Sequence, residues 1–459
     1  MYGKIAHEAI EKNRPWMDKI SKSIWANPEG PYREFHAQRL QAEALREAGF
    51  EVELGHGGVP TSIKASFGSG KPVIGFLGEY DALPAMSQKV TTAREPVEAG
   101  TYGHGCGHNL LGVAHLAAVI GLKDEMVERK LPGTVIYYGC PAEEVLTGKA
   151  FMARGGAFRE LDAAIAFHPS KYNSVTTGTM TGLNSVKFHF KGRTAHAGGD
   201  PHNGRSALDA VELTSVGANY LREHVTSDVR IHYVITNGGV APNIVPDRAS
   251  VWYYVRALSR EAVVDTYNRL VRVAEGAAHM TETQLEIEFM GGCYNTLNNT
   301  VLAGLIHQAM CDTPQEEWTE EEKAFAKALN DDMPTQYAVA LQETGSPEGT
   351  QLHTGVLPIQ NRNGYGSTDV GDVAHIVPTA TFNTACYCIG APGHSWQITA
   401  CSGSSIGEKG MTFAAKAMAT FAVRLMEHPE LVAEAKAEFD RVRGGKPYVC
   451  PIPDEVPVP

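Results

Sequence analysis

The 459-residue chain is 43% hydrophobic and 20% charged, an ordinary globular balance at a length that exceeds one compact core, so roughly two to three domains are expected. A formal net charge of −12 excludes a nucleic-acid binder, which needs a basic face, but not a small anionic substrate held at a local metal site. Eight thinly spread cysteines exclude a dense disulfide framework. Residues 1–20 lack an apolar signal core and no apolar run nears the ~18 residues of a bilayer span, so a reduced, cytoplasmic protein is expected.

Apolar positions at three- and four-residue spacing predict helices over 4–26 and 33–48, parted by the polar hinge Asn27-Pro28-Glu29-Gly30-Pro31. Apolar strands are expected over 72–78, 133–140 and 163–167, with helices over 110–122 and around 149–154 between them. Continuous apolar strands between helices imply a mostly parallel sheet buried on both faces, an α/β architecture. Residues 183–292 change character. Alternating strands over 184–191, 229–236, 249–257 and 284–290 enclose long helices over 204–224 and 261–280. That is the split β-α-β-β-α-β order of a complete small α+β domain. The expected division is therefore a main domain, residues 1–182 plus 297–459, and an inserted domain, 183–296. One face of the inserted sheet is expected under its helices, leaving a face or an edge free to pair with a second copy. Residues 313–365 are polar, open a helix near Glu316–Lys323 and are expected to decorate the surface. Strand character returns over 380–389, a long helix spans 410–426, and the proline-rich tail, 451–459, is irregular.

The chemistry collects just past the apolar strands: Asp81, then Glu143 and Glu144, then His168, then His394. Ligand sites of open α/β sheets lie at those carboxyl ends. A glycine-rich turn, Gly103-His104-Gly105-Cys106-Gly107-His108-Asn109, supplies a thiolate and an imidazole two residues apart before a helix, a cradle for a metal ion. A dinuclear hydrolytic site needs a bridging anion and terminal ligands on each ion. Cys106 can bridge, His108 and His168 serve one ion, and Glu144 and His394 the other. Glu143 is left free to take a proton from the bound water and give it to a leaving nitrogen. Asp81 can hold a ligand imidazole by its second nitrogen. His104, four residues before His108, is the alternative ligand, and His108 is favoured because it shares the tight Cys-Gly-His turn. Cys386 and Cys388 are read as packing residues, and His56, His115, His189 and His202 as structural or solvated.

The runs Gly78-Glu79-Tyr80-Asp81-Ala82-Leu83-Pro84, Gly105-Cys106-Gly107-His108, Ala142-Glu143-Glu144, His168-Pro169 and Thr194-Ala195-His196-Ala197 resemble the M20 family of metallopeptidases and amidohydrolases. The nearer likeness is to its Cys-Gly-His branch, which includes auxin-conjugate and N-acyl-amino-acid hydrolases. The resemblance implies a zinc-peptidase-like catalytic domain with two divalent ions, Zn or Mn first, Co or Ni as alternatives. It implies metal ligands at Cys106, His108, Glu144, His168 and His394, with Glu143 as general base. It implies a lid that dimerises, whose His196 reaches the partner's site and steadies the oxyanion. Asn243 and Arg256 match substrate-contacting positions, Arg256 facing a carboxylate. Two departures stand out: Glu79, where many relatives carry His or Met, and Asn109, where most carry Asp.

The expected activity is hydrolysis of the amide of an N-acyl or N-aroyl amino acid, with p-aminobenzoyl-glutamate as the best single substrate. The alternatives are a non-catalytic subunit that partners a homologous one, or a dipeptidase or auxin-conjugate-type hydrolase of the same mechanism. No nucleic acid or membrane partner is expected.

Overall fold

A computed structural model describes residues 2–459. The main body opens with α1 (Lys4–Ala26), α2 (Phe35–Glu47), β1 (Glu51–Leu54), β2 (Ile63–Ser69) and β3 (Val73–Glu79). It continues with α3 (His108–Arg129), β4 (Gly133–Cys140), α4 (Gly148–Arg154) and β5 (Ala163–Ser170). A second unit follows: β6 (Gly182–Lys191), α5 (Ala207–Leu221), β7 (Arg230–Asn237), β8 (Arg248–Ala257), α6 (Arg260–Thr281) and β9 (Gln284–Cys293). The chain then forms α7 (Thr300–Asp312), α8 (Glu320–Asp331), α9 (Pro334–Thr344), α10 (Val370–Ala374), β10 (Thr379–Ala385), α11 (Trp396–Ser402), α12 (Ser405–Glu427) and α13 (Pro429–Arg443).

The first sheet runs β1-β2-β4-β3-β5-β10. Strands β4, β3, β5 and β10 are parallel, and the unanticipated β1–β2 hairpin adds an antiparallel edge. Alternation along β3 sends Ile74 and Phe76 into one core and Leu77 into the other, as the two-residue strand period requires. Helix α3 is buried on nearly every side from His108 to Leu122, because α1 and α12 cover what the sheet does not. A helix apolar all round belongs in such a place. Its N-terminus is thereby fixed against the carboxyl ends of the parallel strands.

The second sheet runs β7-β8-β6-β9, antiparallel throughout. Val186, Phe188, Val251 and Tyr253 pack under Val211 of α5 and Leu270 of α6. Ser206 and Ser259 cap those helices, accepting from the N–H of Asp209 and Ala262, which satisfies orphan donors of the first turn. Edge strand β7 exposes Tyr233, Val234 and Ile235.

Two expectations change. His168 and Pro169 lie inside β5, not past it, because β10 runs far enough to pair them with Asn383 and Thr384. Residues 313–365 do more than decorate: Ala326 and Leu329 of α8 are buried in the main core. The tail is irregular as expected, yet Ile452 is buried, and Arg154 donates to the carbonyls of Pro453 and Val456 at 2.7 and 2.9 Å. Among the described residues no helix is long and apolar enough to cross a membrane.

Candidate metal centre

The Cys-Gly-His turn reaches its place through Gly107, at φ 78°, whose missing Cβ would otherwise stand 2.1 Å from the Tyr387 hydroxyl. Tyr387 in turn donates to the Cys106 carbonyl at 2.7 Å. The turn thus presses against the chain that leaves β10, where any side chain would clash. Glu143 and Glu144 occupy a single 3₁₀ turn after β4, flanked by Ala142 and Leu146, both left-handed at φ 57° and 60°. The backbone doubles back there, so both carboxylates face the cavity at the sheet's carboxyl end.

Five of the expected residues meet in two triads that share a sulfur. The donor atoms of Cys106, His108 and His168 lie within 4.8 Å of one another, as do those of Cys106, Glu144 and His394. Cys106 Sγ is 3.3 Å from His168 Nε2, and His394 Nε2 is 3.7 Å from Glu144 Oε2. Asp81 organises the group with both oxygens. Oδ1 lies 2.9 Å from His108 Nδ1, and Oδ2 accepts from the Glu144 backbone N–H at 2.8 Å. His108 therefore turns Nε2 to the cluster, where this buried atom has no hydrogen-bond partner; Glu144 Oε1 is also buried and unpartnered.

These donors fit divalent cations. Thiolate, imidazole and carboxylate suit borderline first-row ions, and orphaned buried acceptors are costly unless something positive meets them. Protonation reports the same excess of negative groups. Burial, with the Glu79 charge added, pushes Glu143 well above the carboxylate range. Burial and the nearby Asp81 push Glu144 up to about 7 against the pull of His108. Burial and Glu144 push the Cys106 thiol far up. Burial opposes a proton on His108, yet Cys106 and Asp81 outweigh it and raise that imidazole well above its ordinary value. Burial and the His108 charge bring His168 down to about 4, the neutral form a ligand needs.

His104 does not compete. Its Nε2 lies 3.3 Å from the Ile24 carbonyl, and burial lowers it to about 3. Asn109 turns away from the cluster and donates to Ser21 Oγ and the Ser402 carbonyl at 3.1 and 3.0 Å, so this departure ties the turn to α1 and α11.

Arg256, on β8, lines the same cavity of about 700 Å³ as Cys106, Glu144 and His394. Its Nη1 donates to Ser367 Oγ at 3.1 Å and its buried Nε has no partner. His196 and Asn243 are brought together but not to this cavity. The Ala197 N–H donates to the Asn243 carbonyl at 3.0 Å, and His196 and Asn243 are not buried. His196 Nδ1 accepts from Gly198 and Gly199 N–H groups at 3.1 and 2.9 Å, which leaves Nε2–H as an outward donor.

Sequence reasoning missed a buried ion cluster beneath the site. Lys149 Nζ lies 2.5 Å from Glu79 Oε1 and 2.6 Å from Asp369 Oδ1, and all three side chains are buried. Glu79 carried a usable signal, standing at a strand end two residues before Asp81; Lys149 carried none.

Residues 179–282 match the family model of the Peptidase dimerisation domain. The chain is 41% identical to a p-aminobenzoyl-glutamate hydrolase subunit of Escherichia coli K12, over 98% of this chain and 97% of that protein. It is 29% identical to the mouse Xaa-Arg dipeptidase, over 95% and 91%. Its fold resembles that of the Bacillus subtilis YXEP protein, a dinuclear metal binding peptidase from the M20 family. The TM-score is 0.59, at 18% identity over 91% of this chain and 99% of that one.

Proposed function

This chain belongs to the M20 family of metal-dependent peptidases and amidohydrolases, and on that basis we propose that it hydrolyses p-aminobenzoyl-glutamate to p-aminobenzoate and glutamate. The observation that carries this reading is one cavity lined by Cys106, Glu144, His168 and His394, whose donor atoms form two triads with buried His108 joined at Cys106, together with an Arg256 that lacks a full set of partners. The choice of substrate follows the E. coli relative.

In this reading Cys106 would be shared by two ions, with His108 and His168 as further ligands of one and Glu144 and His394 of the other. Zn²⁺ or Mn²⁺ is the expected metal, with Co²⁺ and Ni²⁺ as alternatives. Bound, the ions would polarise the amide carbonyl and acidify water. Asp81 holds the His108 tautomer and, through the Glu144 backbone, the angle of the carboxylate pair. Glu143 takes the proton of the attacking water and delivers it to the departing amine, a transfer that needs a carboxylate not committed to a metal. Arg256 offers bidentate donors to a substrate carboxylate. His196, outward-facing and set as a donor, serves the site of a second copy and steadies the oxyanion there, with Asn243 beside it. The division into a catalytic part, residues 1–182 plus 297–459, and a lid, 183–296, belongs to the same reading.

The test is the purified chain, loaded with Zn²⁺ or Mn²⁺ and assayed alone on N-aroyl and N-acyl amino acids and on Xaa-Arg dipeptides. Turnover of p-aminobenzoyl-glutamate above the rest supports the proposal. Preference for the dipeptides favours the dipeptidase reading, which the mouse relative motivates. No turnover on any substrate leaves the non-catalytic subunit.

A further inference from the structure

We propose that Glu79 is an additional protein ligand for the ion facing His108, fixed in place by Lys149 and Asp369. The proposal rests on the metal-site reading above and adds a carboxylate to its donor set.

The geometry around His108 carries it. With the Nδ1 side given to Asp81 at 2.9 Å, the lone pair left for a cation is on Nε2. That atom is fully buried and has no hydrogen-bond partner. The carboxylate oxygens around it are Glu79 Oε2 at 3.5 Å, Glu143 Oε2 at 3.8 Å and Glu144 Oε1 at 3.9 Å. Three carboxylates gathered away from water around one imidazole nitrogen repel one another, and a shared cation turns that arrangement into ligation. Two N or O donors on one first-row ion, each roughly 2.1 Å from it, stand roughly 3.0–3.5 Å apart. Glu79 is the closest of the three carboxylates and meets that spacing. Glu79, His108 and Glu143 also form a compact donor triad of their own.

Glu79 cannot swing away. Its Oε1 is held by Lys149 Nζ at 2.5 Å, and Lys149 is held by Asp369 twice, at 2.6 Å through Nζ and 2.8 Å through its backbone N–H. The ammonium keeps one carboxylate oxygen and leaves the other for the ion. A ligand set with this added carboxylate is harder than thiolate and imidazole alone, which favours Mn²⁺ relative to Zn²⁺.

Glu79→Gln separates this role from packing. Lys149 can only donate, so the amide oxygen must stay on Lys149 and the amide NH₂ must face His108 Nε2, where it blocks a cation. The measurements are metal content per chain after dialysis, Mn²⁺ affinity by calorimetry and the visible spectrum of the Co²⁺ form. The expected result is two ions in the wild type, and in Glu79→Gln loss of one ion, at least tenfold weaker Mn²⁺ binding and an altered Co²⁺ band. A folded Glu79→Gln that holds two ions with unchanged affinity and spectrum overturns the proposal alone. A wild type that holds no ions overturns the metal-site reading itself. Should the variant not fold, the Mn²⁺-loaded wild-type crystal structure decides. Glu79 oxygen within roughly 2.4 Å of an ion sustains the proposal, and one beyond roughly 3 Å ends it.

Discussion

Glu143 and Glu144 are neighbours in sequence, and the proposed reading gives them different duties; their carboxylates have different surroundings. Glu144 points at His394 and belongs to a donor triad that includes Cys106; Glu143 stands beside Glu79 and His108 in the buried floor. Glu143→Ala should therefore lower kcat by about 10²- to 10⁴-fold, the usual worth of a general acid–base, while metal content stays at two ions per chain. Elemental analysis beside steady-state assays checks this; near wild-type turnover removes Glu143 from the proton path. The candidate donors were legible in the sequence because Glu144, His168 and His394 follow or close apolar strands, whose ends a parallel sheet gathers at one edge, and because Cys106 and His108 share a glycine-rich turn before a helix. Lys149 was not legible. A lysine in a short helix reads as solvated, and its burial depends on Asp369, 220 positions away, and on Glu79.

Helix α1 packs along α3 and α12, and its periodicity predicted it to within a residue of either end. What periodicity does not reveal is the charge set into that interface. Burial and the neighbouring Glu408 charge raise Asp18 from 3.8 to about 6, with Arg14 opposing, and one carboxylate oxygen has no partner. A carboxyl whose folded value lies above its unfolded one favours the fold below pH about 4, and that contribution disappears as pH rises through about 6. Asp18→Asn should therefore raise Tm at pH 8 and change it less at pH 4. Melting curves at the two pH values test this; an equal shift at both, or a loss at pH 8, contradicts it. The strand boundaries of β5 and β10 show a different limit. Each was read from its own apolar run, but their mutual register carries β5 past His168 and Pro169, and pairing partners distant in sequence leave no local mark.

At the scale of the whole molecule, neither His196 nor Asn243 lines the cavity of their own chain. If each copy lends His196 to the other, then Glu143→Ala and His196→Ala, each inactive alone, should complement when mixed and allowed to exchange subunits. Half the dimers would be mixed and each would hold one intact site, so about a quarter of wild-type activity should return. Activity remaining at the level of the single variants would place His196 outside the partner's site.

Neighbouring residues alone carried the α/β class, the inserted β-α-β-β-α-β unit, the family and the candidate donors, because strand periodicity and a glycine-rich metal turn are local patterns. Packing was needed to show that His104 and Asn109 turn away, that His168 sits within a strand, and that Glu79, Lys149 and Asp369 meet under the metal centre. Those facts depend on which distant groups share a dehydrated space. Burial and pairing of charge are properties of the packed chain and not of any stretch of it.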